Sequence, residues 1–212
     1  RTSPGPLQIA LETEIRCLQR GGDTLADPEA QVTAHGQAQL LLDADAIALA
    51  AQAASAPIGE AAQPAGDAAL YHLRVGQTAQ ATRAFTTADI DEYAALAGDR
   101  NLFYTDAVFA RSRGFDGALV PLPLLAGMFS DLLGTRLPGR GTGWMKQSLR
   151  LCSAALVDEP LTALVRIVRL RADKALVNLA TEVRGADGRL VLHGEALVLV
   201  RNLEDKRAEA AA

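Results

Sequence analysis

Cysteine and histidine are scarce in this chain, with only Cys17, Cys152, His35, His72 and His193 among 212 residues, and the scarcity excludes whole classes of chemistry. The two cysteines lie far apart in apolar, strand-like surroundings, so two reduced structural thiols are expected rather than a disulfide, which fits a reducing cytoplasm. No Cys/His cluster has metal-ligand spacing, and neither a Gly-x-x-x-x-Gly-Lys phosphate loop nor a Gly-x-Ser-x-Gly nucleophile elbow is present, so no metal and no nucleotide cofactor is expected. No apolar run approaches the roughly 18 residues that would suggest a membrane span, and no secretory leader pattern stands at Arg1. Positive charge is thin: 21 Lys and Arg against 25 Asp and Glu give a net charge of −4 with no basic run, so neither nucleic acid nor membrane is expected as a partner.

With 49% apolar and 22% charged residues, the chain can fill one globular core plus something extra, or two small domains. It opens on Arg1 rather than Met, and is expected to start inside a longer polypeptide. A repeat supports that expectation. Leu11-Glu12-Thr13-Glu14-Ile15-Arg16 matches Leu179-Ala180-Thr181-Glu182-Val183-Arg184, and Ala34-His35-Gly36-Gln37-Ala38 matches Leu192-His193-Gly194-Glu195-Ala196, in the same order. Both copies alternate apolar and polar residues as half-buried strands do, so each is expected to be a hairpin. The second hairpin has the tight turn dipeptide Asp187-Gly188, whereas the first has a longer loop running through Gly21 and Gly22 to Pro28.

Residues 1–45 therefore read as the closing hairpin of an earlier, related unit. Residues 46–70, rich in Ala and carrying Pro57, Gly59, Pro64 and Gly66, read as a linker with a helical turn or two at 46–54. Residues 71–203 form the main domain, and 204–212 a charged, Ala-rich tail. Within the main domain the patterns predict a strand over 77–85, a helix over 87–97, a loop, and an apolar helix over 123–133. Strands over 144–152, 161–170, 175–184 and 190–201 complete the list of predicted elements. Consecutive antiparallel strands after a single long helix make an α+β domain, its sheet wrapped around the helix.

Residues 98–106, Gly98-Asp99-Arg100-Asn101-Leu102-Phe103-Tyr104-Thr105-Asp106, follow Thr86-Thr87-Ala88-Asp89-Ile90 and carry the main functional signal. Together with Leu132-Leu133-Gly134-Thr135-Arg136-Leu137-Pro138-Gly139-Arg140-Gly141-Thr142 and Gln147-Ser148-Leu149-Arg150, they resemble the MaoC-like dehydratases and (R)-specific enoyl-CoA hydratases of hotdog fold. The resemblance spans roughly residues 71–201. It implies a homodimer or a tandem hotdog partner, an acyl-CoA or acyl-carrier thioester as substrate, no cofactor, and a place in fatty acid metabolism.

Adding water to an enoyl thioester needs a base for the water proton, an acid for the α-carbon, and donors for the thioester oxygen as it gains charge. The family motif, Gly-Asp-x-Asn-Pro-x-His-x-Asp, implies that Asp99 is the catalytic carboxylate, Asn101 its support and Asp106 the trailing Asp. Its Pro position is Leu102, and its His position is Tyr104. A phenol, with a reference pKa of about 10, donates a hydrogen bond but is a poor base near neutrality. A second family signature, Val-His-Gly-Met, falls on Val120-Pro121-Leu122-Pro123 and has gone.

No other histidine is placed to substitute, since His35 and His193 sit on repeat strands in structural roles and His72 is expected at the surface. Asp99 and Asn101 have bland alternatives as turn residues, and Tyr104 as a packed aromatic. The substrate-contact candidates are Gly127, Gly139, Gly141 and Trp144, with a flexible connection as the plain reading of the loop Gly139-Arg140-Gly141-Thr142-Gly143. Arg166, Arg169, Arg171 and Lys174 are read as a solvated face, with a CoA phosphate contact as the alternative. The expected function is a catalytically reduced, acyl-thioester-binding half of a larger or dimeric hydratase. An active hydratase using Asp99 and a noncatalytic assembly module are the alternatives.

Overall fold

The computed structural model describes residues 70–203 in full and, ahead of them, the backbone of two strands, β1 (Gln8–Cys17) and β2 (Gln31–Leu41). The expected linker, the charged tail, the first hairpin's loop and the side chains of Cys17 and His35 lie outside the described residues. β1 and β2 pair antiparallel. The main sheet comprises β3 (Thr78–Arg83), β4 (Gly143–Leu151), β5 (Leu161–Arg171), β6 (Leu176–Gly185) and β7 (Leu190–Leu199). Its order is β3-β5-β6-β7-β4, antiparallel throughout.

One face of this sheet is apolar because alternate residues are. Leu161, Ala163, Val165 and Ile167 on β5, Val177, Leu179 and Val183 on β6, and Leu192, Ala196 and Val198 on β7 are buried together. The long helix, Leu122–Thr135, supplies the matching stripe. Its Leu125, Met128, Phe129, Leu132 and Leu133 recur at three- and four-residue spacing and join the same core. Each such side chain contributes on the order of 1.5–3 kcal/mol through burial, which makes this contact the main source of the domain's stability. The arrangement is the expected α+β hotdog, a central helix against an antiparallel sheet.

The helix Thr87–Ala97, termed α1, begins where a capping box says it should. The Thr86 hydroxyl accepts the Asp89 N–H at 3.3 Å, and the Asp89 carboxylate accepts the Thr86 N–H at 2.7 Å. Gly98 ends it in the left-handed region, at φ 71°. The expected loop beyond is a correction: it folds into α2 (Leu102–Thr105) and α3 (Ala107–Ser112), ahead of the long helix, α4. Local caps account for both. Asn101 Oδ1 accepts the Phe103 N–H, and Asp106 Oδ1 accepts those of Val108 and Phe109. Phe103 then packs edge-on against Phe109 and Phe115, at centroid distances of 5.1 and 5.7 Å, which anchors the pair of short helices.

At the other end of the sheet, Arg189 ties the β6–β7 turn to the segment between β4 and β5. It pairs with Glu159 and donates to the Ala154 carbonyl at 2.9 Å. The turn at Ala172–Lys174 is a short 3-10 helix.

Candidate functional site

Asp99 follows the glycine that ends α1, and that position sets its geometry. The chain reverses at Gly98, turning the half-buried Asp99 carboxylate back toward the last turns of α1. There its Oδ2 accepts the Tyr93 hydroxyl at 3.2 Å, while Oδ1 accepts the Asn101 N–H at 3.1 Å. The second bond is a local Asp turn. The first spans the helix end and lacked any motif in the sequence. A tyrosine five residues before a helix-ending Gly-Asp is the signal that could have found it.

Tyr104, half-buried on α2, stands close enough to Asp99 to feel its charge. Burial chiefly, and then the Asp99 carboxylate, raise the Tyr104 hydroxyl above its ordinary value. Burial and the same carboxylate raise Tyr93, with the hydrogen bond to Asp99 adding to the effect. Asp99 thus accepts a hydrogen bond from one phenol, Tyr93, and lies near a second, Tyr104, both protonated at neutral pH as phenols ordinarily are. Asn101, by contrast, spends its side-chain oxygen on the Phe103 N–H, and Asp106 is the cap of α3. Both hold the backbone that carries Tyr104.

The start of α4 is poor in donors. Pro121 and Pro123 have no N–H, and the Leu124 N–H is already bonded to the Pro121 carbonyl at 3.0 Å. The substrate-contact candidates have separate places. Gly127 is exposed on α4, in open space. Gly139 is buried at φ 112°, its N–H given to the Leu133 carbonyl and its own carbonyl accepting from Thr142 N–H. Gly141 has φ +88°, and a Cβ there would run into the Asn202 carbonyl. The loop's glycines thus answer to backbone packing. Trp144 is 38% exposed on the edge strand β4, next to Met145 at 62%.

The histidines differ from one another. His72, expected at the surface, is half-buried with its Nδ1 enclosed and without a hydrogen-bond partner. His193 lies on β7 opposite Glu182 and beside Arg150 on β4, and burial, with Arg150 next, lowers its pKa while Glu182 opposes the shift. Cys152 is a free, buried thiol, which burial pushes upward. Among the described residues no group of three or more His, Cys, Asp or Glu side chains could hold a metal ion, and no helix is long and apolar enough to cross a membrane.

An antiparallel sheet closed over one long helix, with an Asp at the end of the preceding helix, defines a protein of hotdog fold. The chain belongs to the MaoC-like, (R)-specific enoyl-CoA hydratase family of that fold. It is 38% identical over 126 residues to the (R)-specific enoyl-CoA hydratase of Aeromonas caviae, covering 59% of this chain and 94% of the relative. A solved (R)-hydratase from A. caviae, described as involved in PHA biosynthesis, superposes with a TM-score of 0.59 at 38% identity, covering 60% of this chain and 97% of that one. The MaoC-like dehydratase from Rhodospirillum rubrum, at 22% identity, shares the fold with a TM-score of 0.53 over 62% of this chain and 97% of its own. No family model matches the chain.

Proposed function

We propose that this domain binds an acyl-CoA or acyl-carrier thioester as one half of a hydratase or dehydratase assembly, and that its own catalytic step is curtailed. The observation that carries the reading is Tyr104, a phenol held protonated beside Asp99 where the family motif has a histidine. Hydration needs two proton-handling groups of suitable pKa, and here one of them is fixed as a donor. Asp99 and Tyr104 can both bond a water there, but among the described residues no histidine is hydrogen-bonded to either.

The complementary site belongs to the partner half, a tandem hotdog unit, because a second copy of the chain would bring the same Tyr104. Free Cys152 suits a reducing compartment such as the cytoplasm. Equilibrium dialysis of the chain against radiolabelled crotonyl-CoA tests the binding claim. Saturable binding that weakens several-fold in Asp99→Leu is the expected result. No saturable binding, with the fold intact by circular dichroism, would support the noncatalytic assembly module instead.

A further inference from the structure

We infer that β1 and β2 are the closing hairpin of a second hotdog unit, and that the edge of β2 away from β1, which pairs with no strand among the described residues, is built to receive that unit's β4-type strand.

The two hairpins share their register throughout. Gln8↔Leu41, Leu11↔Ala38, Thr13↔Gly36 and Glu14↔His35 correspond in order to Leu176↔Leu199, Leu179↔Ala196, Thr181↔Gly194 and Glu182↔His193. Every β6–β7 pair has such a counterpart in β1–β2. Both ladders also shift register at the same place, between Ile15 and Arg16 in one and between Val183 and Arg184 in the other. The connection cannot be what sets this, because a tight turn joins β6 to β7 while residues 18–30 join β1 to β2. Loop length fixes register only in short hairpins; otherwise the packing pattern of the strands does. The first hairpin therefore carries a pattern suited to the same neighbours as the second.

The glycine opposite the threonine identifies one of those neighbours. Gly194 is buried, and a Cβ on it would collide with the Ser148 carbonyl on β4, which pairs along β7 at that point. Within a strand glycine is otherwise a liability, and its use is the close approach of another backbone. Gly36 holds the same register position opposite Thr13. The close approach it permits is that of a strand running along β2 as β4 runs along β7. This domain's own β4 already pairs with β7. In the chain order of the fold, β4 precedes the closing hairpin, so the occupant belongs to the unit that β1 and β2 complete, ahead of β1 in the same polypeptide.

Hydrogen exchange on the polypeptide expressed from its complete reading frame, read by mass spectrometry over residues 31–41 and 190–199, tests this. The expected result is protection of β2 within about tenfold of that of β7. Gly36→Val then raises exchange across 31–41 by at least about tenfold, whereas the neighbouring Gln37→Val does not. A reading frame with no hotdog unit ahead of β1, β2 exchanging as an unpaired edge, or equal effects of the two substitutions would overturn the inference. Equal protection of β2 in the 212-residue chain alone would also overturn it, since the occupant would then be this domain or a second copy of it.

Discussion

The decisive residues are few, and their chemistry separates what the sequence could reveal from what it could not. Asp99 was legible because Gly98 before it and Asn101 after it form a recognisable cluster. Tyr93 was not, because its hydrogen bond to Asp99 crosses the end of α1, a contact only the helix geometry creates. Tyr93 donates to Asp99, so Tyr93→Phe is expected to weaken thioester binding about two- to tenfold, the net value of one ordinary hydrogen bond, with the fold retained. Calorimetric titration with crotonyl-CoA measures it.

The phenols also set a pH dependence. Tyr93 and Tyr104 have folded pKa values raised above the unfolded value of about 10, so the stability they contribute is fully present below that pH and is lost as pH rises through the folded values. His193 runs the other way. Its folded pKa is lowered below about 6.5, so its contribution is present above that pH and lost as pH falls through the folded value. His193→Gln is expected to flatten the decline in melting temperature as pH falls below about 6.5. Thermal melts across that range decide it.

Periodicity made the long elements readable. The strands after α4 and the helix α1 lie within a residue or two of their expected spans, because their apolar spacing extends over nine or more residues. The helices α2 and α3, with four and six residues, are too short to show a period and exist because Asn101 and Asp106 cap them and Phe103, Phe109 and Phe115 hold them. Packing of α4 on the sheet is the main stabilising contact. Phe129, fully buried, is its centre, and Phe129→Ala should cost about 3–5 kcal/mol in urea denaturation. The Arg189–Glu159 pair is smaller in effect, being partly exposed. Arg189→Ala removes the donor to the Ala154 carbonyl and leaves Glu159 with only the Leu156 N–H, and an expected loss of ~1–3 kcal/mol is read in the same titration.

In the whole molecule, the chain order conceals the sheet order. β4 precedes β5 in sequence yet pairs with β7 at the far edge, a crossover that no local pattern encodes. The loop glycines were legible as unusual backbone positions, but Gly141 meets Asn202 only after the fold has brought the end of β7 beside it, so its backbone role could not be told from a ligand role beforehand. The family was legible in residues 98–106 and the segments that follow, and the geometry sharpened one substitution within them. Tyr104 stands where the family motif has its histidine, and burial and the Asp99 carboxylate raise its pKa further from that of a base.

Crotonyl-CoA hydration by wild type, Asp99→Asn and Tyr104→His, followed as loss of the enoyl absorbance, tests this most directly. Negligible turnover by wild type, and a rise of about 10²–10⁴-fold in Tyr104→His when a histidine restores the missing proton-transfer group, is the predicted result. Robust wild-type turnover that Asp99→Asn abolishes would contradict the account and make this domain an active hydratase in its own right.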